Sequence, residues 1–142
     1  MSWKLSCTVL RGGITSNGGS LLDQKVDGGK QPYAIALKSH GLMALAGVWE
    51  NWRSPAGERI RSFAIVTTEP NDLCAELHNR MPVVLAPETW PAWLGEETAD
   101  EAQLKALLAP YPSDDMICWP VSPRVGNVKN NDPSLIEPIV LQ

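Results

Sequence analysis

The residues with the most chemistry to offer lie around His78. A histidine can donate or accept a proton near neutral pH, so His78 is a candidate acid or base catalyst, with a structural histidine as the alternative. Cys74 lies four positions earlier on a predicted helix, which could pair a thiol with the imidazole as a nucleophile or as two metal ligands. The chain has no Cys-x-x-Cys pair, and a helical cysteine beside leucines is usually a core residue. We therefore predict no metal and no cofactor.

Several polar residues could contact phosphate groups. Arg80 could bind a phosphate through two parallel hydrogen bonds, or form a surface salt bridge. Thr67 ends a predicted strand, where its hydroxyl could bind a phosphate or cap the next helix. Asn127, Lys129 and Asn130 lie in a predicted loop and could line a groove or be solvated.

Carboxylates and aromatic residues give a second set of candidates. Glu50 lies between Trp49 and Trp52, where apolar surroundings could make it an acid catalyst, but we interpret it as structural. The six tryptophans could stack on unpaired bases, although core packing is their commoner use in a small domain.

Length and composition describe one ordinary globular domain. The chain has 142 residues, 44% hydrophobic and 20% charged, and no apolar run long enough to span a bilayer. An odd count of three cysteines at irregular spacing favours a reducing compartment, so we expect a cytoplasmic protein, most simply a monomer. The net charge of −4 excludes binding of nucleic acid by the whole surface, so a DNA partner would need a local groove.

The elements that must position these residues begin after an irregular start. Residues 11–20 are polar and glycine-rich, which indicates a loop, with a candidate short strand at residues 5–10. We therefore predict an irregular N-terminal segment over residues 1–29 and one domain over residues 30–142.

The pattern from Gln31 onward is typical of an antiparallel α+β fold. The predicted strands are residues 33–37, 42–49, 60–67, 81–85 and 116–121, and the predicted helices are residues 70–78, 87–94 and 101–108. Residues 42–49 are apolar enough for a strand buried on both faces. Thr68 is the expected cap of the first helix, and Pro70 fits its first turn. We expect a β-rich, barrel-like antiparallel sheet with a few short helices.

Five segments in a fixed order carry a family resemblance. They are Lys30-Gln31-Pro32-Tyr33, Ala46-Gly47-Val48-Trp49-Glu50, Ile65-Val66-Thr67-Thr68, His78-Asn79-Arg80-Met81-Pro82-Val83, and a closing loop from Pro120-Val121-Ser122 through Asn127-Val128-Lys129-Asn130 to Pro138. Together they resemble the SOS response-associated peptidase (SRAP) family over residues 30–138. The resemblance implies a barrel-like α+β domain with a groove for single-stranded DNA that contains abasic sites.

The resemblance also implies a covalent chemistry. In the family, the Cys after the initiator Met becomes the N-terminus and traps the aldehyde of an abasic site as a thiazolidine, a DNA–protein crosslink. A Glu, an Asn and a His assist this reaction. The peptidase name, with its hydrolase and lyase associations, reflects a proposed autoproteolytic removal of Met.

This chain departs from that pattern near its start. Residue 2 is Ser2, Leu22 occupies the position of the catalytic Glu, and the segment that supplies the Asn is absent. His78 is the one main catalytic residue that carries over, and Thr67 matches a position near the DNA backbone. The family domain is therefore expected to be incomplete at its N-terminus, which would leave apolar sheet surface poorly covered.

Two functional hypotheses remain. The chain is an abasic-site-processing domain in which His78 moves protons, or it is a catalytically incomplete fragment that at most binds single-stranded DNA weakly. In either case we expect His78, Thr67 and Arg80 to line one concave surface with the loop over residues 127–130.

Overall fold

The structure is a computed structural model that describes residues 4–10, 23–26 and 29–141. The predicted glycine-rich loop over residues 11–20 lies outside the described residues, as do Ser2 and Leu22. Within the described ranges, no helix is long and apolar enough to cross a membrane.

Antiparallel sheets make up most of the described chain. The strands are β1 (Lys4–Leu10), β2 (Asp23–Val26), β3 (Gly29–Leu37), β4 (Met43–Arg53), β5 (Arg59–Ile65), β6 (Thr67–Thr68), β7 (Met81–Pro82), β8 (Val84–Leu85) and β9 (Met116–Pro120). One sheet has the order β1-β4-β5 with β8 also on β4, a second has the order β2-β3-β9, and β6 pairs with β7. The predicted β-rich antiparallel α+β fold is confirmed, and the described strands form separate sheets, not a closed barrel.

The helices are short. They are α1 (Asp72–Ala75), α2 (Trp90–Leu94) and α3 (Glu101–Ala106), and the described part also has 3-10 turns at Pro87–Thr89, Ser113–Asp115, Pro123–Gly126 and Pro133–Ile136. α3 begins with a capping box, in which the Asp100 carboxylate accepts from the Gln103 amide and the Gln103 side chain accepts from the Asp100 amide. Each predicted helix is present but shorter than the pattern indicated.

Strand β4 is the centre of the core. Its first five residues, Met43–Gly47, are buried on both faces, as the apolar pattern predicted. Met43 and Leu45 pack into one cluster with Ile35, Leu77 and Met81. Ala44 and Ala46 point to the other face, where their small side chains allow Trp93 of α2 to pack closely.

Two predicted strands are each divided into two shorter strands, because their hydrogen-bonded neighbour changes partway along. Residues 60–67 split at Val66, and residues 81–85 split at Val83. The Val66 amide donates to the Ala46 carbonyl, the Val83 amide to the Val66 carbonyl, and the Ala46 amide to the Val83 carbonyl, each at 2.9 Å. These three bonds fasten β6 and β7 to β4.

The first helix corrects the predicted cap. Its N-cap is Asn71, whose side-chain oxygen accepts from the Cys74 amide at 2.9 Å, and Thr68 instead lies in β6. Pro70 precedes the helix. The Asn71 side chain also donates to the Tyr111 carbonyl at 2.7 Å, and Thr68 pairs with Met81 in the β6–β7 pair.

The N-terminal strands belong to these sheets. β1 pairs along β4 from Lys4↔Trp49 to Leu10↔Met43, in agreement with the candidate strand at residues 5–10. β2, which the sequence did not indicate, pairs with the first half of β3. Near the other end of the chain, Pro138 forms a single bridge with Val121.

Candidate functional site

The β6–β7 pair brings three candidate residues together. Thr67 opposes Pro82 across this pair, and α1 ends four residues before Asn79, so the chain turns through His78 and Arg80 directly into β7. Residues separated by more than ten positions in the sequence therefore meet because the short strands and the short helix enclose one turn. The structure thus brings Thr67 and His78 into contact with Arg80, and the concave surface expected from them and the loop over residues 127–130 stays a prediction.

Arg80 is held by Thr67. One terminal nitrogen of the guanidinium, Nη2, donates to the Thr67 carbonyl at 2.7 Å and contacts the Thr67 hydroxyl oxygen at 3.0 Å. The side chain is exposed, and within the described residues no carboxylate pairs with it. A fixed, uncompensated guanidinium with free N–H groups is a suitable donor to an anionic oxygen.

His78 is oriented by backbone. Its Nδ1 lies 3.0 Å from the Arg80 amide nitrogen, which donates to it, and 3.2 Å from the Arg80 carbonyl oxygen. With the ring proton on Nε2, Nδ1 accepts from the Arg80 amide; with the ring proton on Nδ1, this nitrogen donates to the Arg80 carbonyl and Nε2 is unprotonated. The same two-residue turn therefore supports both tautomers, and in the described part of the chain Nε2 remains available to a ligand.

The loop over residues 127–130 is ordered by its own amides. The Asn127 side chain accepts from the Lys129 amide at 3.0 Å, and the Asn130 side chain donates to the Arg124 carbonyl at 2.8 Å. Lys129 is exposed. Within the described residues, hydrogen bonds tie this loop to itself and to its flanking turns, and none joins it to Thr67, His78 or Arg80.

An ion pair supports the same loop. Arg124 donates to the Asp132 carboxylate at 2.9 Å and to the Ser134 hydroxyl at 3.2 Å. The hydrogen bond from the Ser134 hydroxyl, with help from the Arg124 charge, lowers the pKa of Asp132. Val125 anchors the turn in a small cluster with Ala34 and Val121. The loop is thus built on the β3–β9 sheet.

The thiol of Cys74 does not form a catalytic pair with the imidazole of His78. Its side chain is 1% exposed in the main core, and burial raises the pKa of the Cys74 thiol to about 11. His78 contacts Cys74 through the backbone, where its amide donates to the Cys74 carbonyl at 2.9 Å. At neutral pH this thiol is protonated and buried, so it is no nucleophile. Among the residues that the structure describes, no three metal-ligating side chains cluster.

Glu50 and the tryptophans fall into different environments. Trp93 is buried, and the indole N–H groups of Trp90 and Trp119 donate to backbone carbonyls, which is the packing role expected from sequence. Glu50 is half-buried on β4 opposite Ser62.

A cleft lies away from these residues. Its volume is about 200 Å³, and its lining is Ala36, Leu37, His40, Gly41, Met43, Trp119 and Ile136. It includes neither Thr67, His78 and Arg80 nor the loop over residues 127–130, so this cleft is not the predicted shared groove. His40, predicted to be a solvated turn residue, is exposed at the rim.

Sequence reasoning missed one charged surface. Arg53, Arg59, Arg61 and Phe63 are all exposed on the β4–β5 hairpin. The alternation of Arg59, Arg61 and Phe63 with Ile60 and Ser62 was the available signal, because a period of two places such residues on one face of a strand.

The fold and the turn at His78 define an antiparallel α+β domain with an exposed basic and histidine-bearing site. Residues 23–128 match the family model described as SOS response associated peptidase (SRAP). The chain belongs to this family, which confirms the resemblance drawn from the five segments.

Named relatives agree with the family assignment, and a solved structure agrees with the fold. The chain is 44% identical to "Abasic site processing protein YoqW" of Bacillus subtilis over 108 residues, which cover 76% of this chain and 48% of the relative. It is 37% identical to "Abasic site processing protein HMCES" of Rattus norvegicus over 68% of this chain and 27% of that protein. A crystal structure of a Bacteroides thetaiotaomicron protein superposes with a TM-score of 0.81 at 23% identity, over 96% of this chain and 57% of that one, and supports the fold. The chain thus spans about half the length of YoqW and a smaller share of HMCES.

Proposed function

We propose that this domain recognises abasic sites in single-stranded DNA and takes part in their processing. The observation that carries the proposal is the turn in which Thr67 fixes Arg80 and Arg80 orients His78. The relatives' names support abasic-site processing as the activity, and the charge and hydrogen-bonding capacity of this turn suit a DNA backbone.

Each residue has a defined role in the proposal. The free N–H groups of Arg80 donate to a phosphate oxygen, and the Thr67 hydroxyl, which contacts Arg80 through its oxygen, can donate its own proton to the same phosphate. Lys129 contributes a second positive charge, with Asn127 and Asn130 as hydrogen-bonding partners. These contacts position the strand without reading its sequence.

His78 acts on the sugar. Ring opening of an abasic hemiacetal moves a proton from the hydroxyl on C1′ to the ring oxygen, and attack by an amine on the resulting aldehyde then releases water. Both steps need a group that donates and accepts protons near neutral pH, and in the tautomer whose Nδ1–H donates to the Arg80 carbonyl, Nε2 of His78 is the nitrogen that takes up and returns the proton. Nδ1 keeps its own proton and its bond to the Arg80 carbonyl throughout.

The covalent step is a finer part of the proposal. Thiazolidine formation requires an amine and a thiol on one N-terminal residue, which the family's Cys supplies. In this chain the second residue is Ser2 and Leu22 stands at the Glu position. The residues that are present therefore support DNA contact and proton transfer more strongly than crosslink formation.

The second candidate is a plain single-stranded-DNA-binding module. It is favoured by the same departures, because Ser2 and Leu22 do not match the thiol and the carboxylate of the family pattern. It predicts binding with no preference for an abasic site.

The two candidates separate in one experiment. Binding of labelled single strands with and without one abasic site is measured by fluorescence anisotropy, and any imine with aldehydic DNA is trapped with borohydride. We expect tighter binding of the abasic strand and a low yield of trapped adduct. His78→Asn should slow the formation of this adduct by about 100-fold, because an acid–base group is lost.

His40→Asn is the matched control. His40 has a φ of 54°, a left-handed backbone that asparagine tolerates, and it lies in a different part of the surface. It should leave both measurements unchanged. Equal binding of the abasic and undamaged strands would contradict abasic-site recognition and leave the plain binding module.

A further inference from the structure

Beyond Trp49 the β4–β5 hairpin continues as a two-stranded ribbon. In the described residues, the pairing of β1 with β4 stops at Lys4↔Trp49, whereas β5 remains paired to β4 as far as Arg53↔Arg59. Residues 51–53 and 59–64 are all exposed. The ribbon therefore presents two faces to solvent.

One face combines aromatic rings with positive charge. The opposed pairs Trp49↔Phe63, Asn51↔Arg61 and Arg53↔Arg59 share this face, because directly opposed residues of an antiparallel pair point to the same side. Phe63 is 70% exposed. Glu50 belongs to the opposite face with Ser62, Trp52 and Ile60, so no carboxylate offsets the three arginines along the paired residues of the first face.

The side chains of Arg53 and Arg61 are held in defined positions by neighbouring groups. The Arg61 guanidinium lies over the Trp49 ring, 5.3 Å from its centre, and its Nε donates to the Asn51 side chain at 3.1 Å. The Nε of Arg53 donates to the Gly57 carbonyl at 3.4 Å. These hydrogen bonds use Nε, so the terminal nitrogens of Arg53 and Arg61 can donate to anionic oxygens.

We propose that this face binds an unpaired stretch of single-stranded DNA outside the site at His78. A base stacks on Phe63 beside Trp49, and the arginines neutralise the flanking phosphates. Unpaired bases expose the π-faces that an exposed aromatic ring can cover, and stacking with backbone neutralisation is how proteins hold single strands without sequence preference. The inference rests on the proposed function for the identity of the polymer.

The position of the ribbon fits one continuous strand. Phe63 precedes Thr67 by four residues, a distance of at most about 14 Å of extended chain. A strand bound at the turn of Thr67 and Arg80 therefore needs little additional length to reach Phe63. A net charge of −4 makes such local basic faces necessary for any DNA contact.

The test uses an undamaged, labelled oligothymidylate and the whole chain, with binding measured by anisotropy over a range of salt. Phe63→Ala should weaken binding by about fivefold or more, because a stacked base no longer has a ring to cover. The double variant Arg59→Gln, Arg61→Gln should make the negative slope of log K against log salt less steep, by about 0.7 for each phosphate that is no longer neutralised. Trp52→Ala, on the opposite face of the same ribbon, is the matched control and should bind as the original chain does.

Contrary outcomes are distinct. Equal losses for Trp52→Ala and Phe63→Ala, or no loss for any of these variants, would overturn the assignment of this face. The assignment would also be overturned if polyglutamate displaced the oligonucleotide and Phe63→Ala left oligonucleotide binding unchanged. The face would then suit an acidic protein segment as its partner. If the unaltered chain bound no single strand at all, the proposed function would fail as well. If the ribbon variants bound the undamaged strand as the original chain does, and the preference for abasic DNA were intact, only this inference would fail.

Discussion

At the scale of single residues, backbone geometry decides what His78 can do. Its ring is oriented by the amide of Arg80 rather than by another side chain, so changes to the Arg80 side chain need not disturb it. In the proposed function, phosphate contact by Arg80 and proton transfer by His78 are therefore separable. Arg80 itself depends on Thr67, whose carbonyl and hydroxyl it contacts.

The burial of Cys74 leads to a testable difference in thiol reactivity. With a pKa raised by burial from 9.0 to about 11, this thiol forms little thiolate below pH 9, and its reactivity should rise only as the pH approaches 11. We expect iodoacetamide at pH 7.5 to label Cys118, which is half-buried, faster than Cys74 in the folded chain. Peptide mapping by mass spectrometry measures both sites.

Urea is the control for that labelling. Unfolding should make the two cysteines react at similar rates, because burial then no longer distinguishes them. Rapid labelling of Cys74 in the native chain would show that α1 opens readily and that its thiol is accessible.

Part of the candidate site could be grouped from residue types, and its role in DNA binding and catalysis stays a prediction. Thr67, His78 and Arg80 could be grouped from sequence because the family motifs and the short spacing from His78 to Arg80 pointed to one turn. The relation of the loop over residues 127–130 to that turn stays a prediction, since sequence spacing contains no distance across the fold. The arginine face was missed because its signal is an alternation within one hairpin, not a motif.

At the scale of elements, the four-residue helix α1 depends on its cap. A helix this short has little stability of its own, and the Asn71 side chain both accepts from the Cys74 amide and donates to the Tyr111 carbonyl. We expect Asn71→Ala to lower the free energy of unfolding by about 1–3 kcal/mol through loss of the cap and an unsatisfied carbonyl. Urea denaturation followed by circular dichroism measures this change.

Thr68→Ala separates the observed cap from the one predicted by sequence. Thr68 lies in β6 and caps no helix, so its replacement should cost clearly less than that of Asn71. A larger loss for Thr68→Ala would support the original prediction and contradict the structure at this point.

Element types were predictable, and their boundaries were not. Apolar runs and turn residues identified β3, β4, β9 and the hairpin turn, where the Gly57 backbone has a φ of 86°. The breaks at Val66 and Val83 could not be read, because a period of two gives the buried face of a strand but not the point at which it changes partner.

At the scale of the whole molecule, Ser2 makes a clear prediction for a polypeptide that starts at Met1. The 142-residue polypeptide, with Ser2 after Met1, should form no heat-stable crosslink with abasic single-stranded DNA. A serine hydroxyl would close an oxazolidine, which reopens in water, and with Met1 retained no such ring can form. A denaturing gel without reductant measures the product.

The internal cysteines are controlled in the same assay. A heat-stable shifted band that survives replacement of Cys7, Cys74 and Cys118 by Ala would place the covalent chemistry elsewhere in the chain. A band that disappears with one of these replacements would identify that internal cysteine as the nucleophile.

The uneven support along β4 has a mechanical consequence. Within the described chain, residues 43–49 of this strand pair with β1, and most of them also pair with β8 or β5, whereas residues 50–53 pair only with β5. The first half of the strand is thus held in the core by neighbours on both edges, and the second half is held along one edge only. Bending should increase toward the turn at Gly57 while Ala46, and with it the backbone that carries Thr67, stays fixed. A polymer that contacts both regions would meet a rigid surface at the turn of His78 and a flexible surface on the outer part of the β4–β5 hairpin. The flexible hairpin can follow changes in the curvature of the polymer without disturbing the turn at His78.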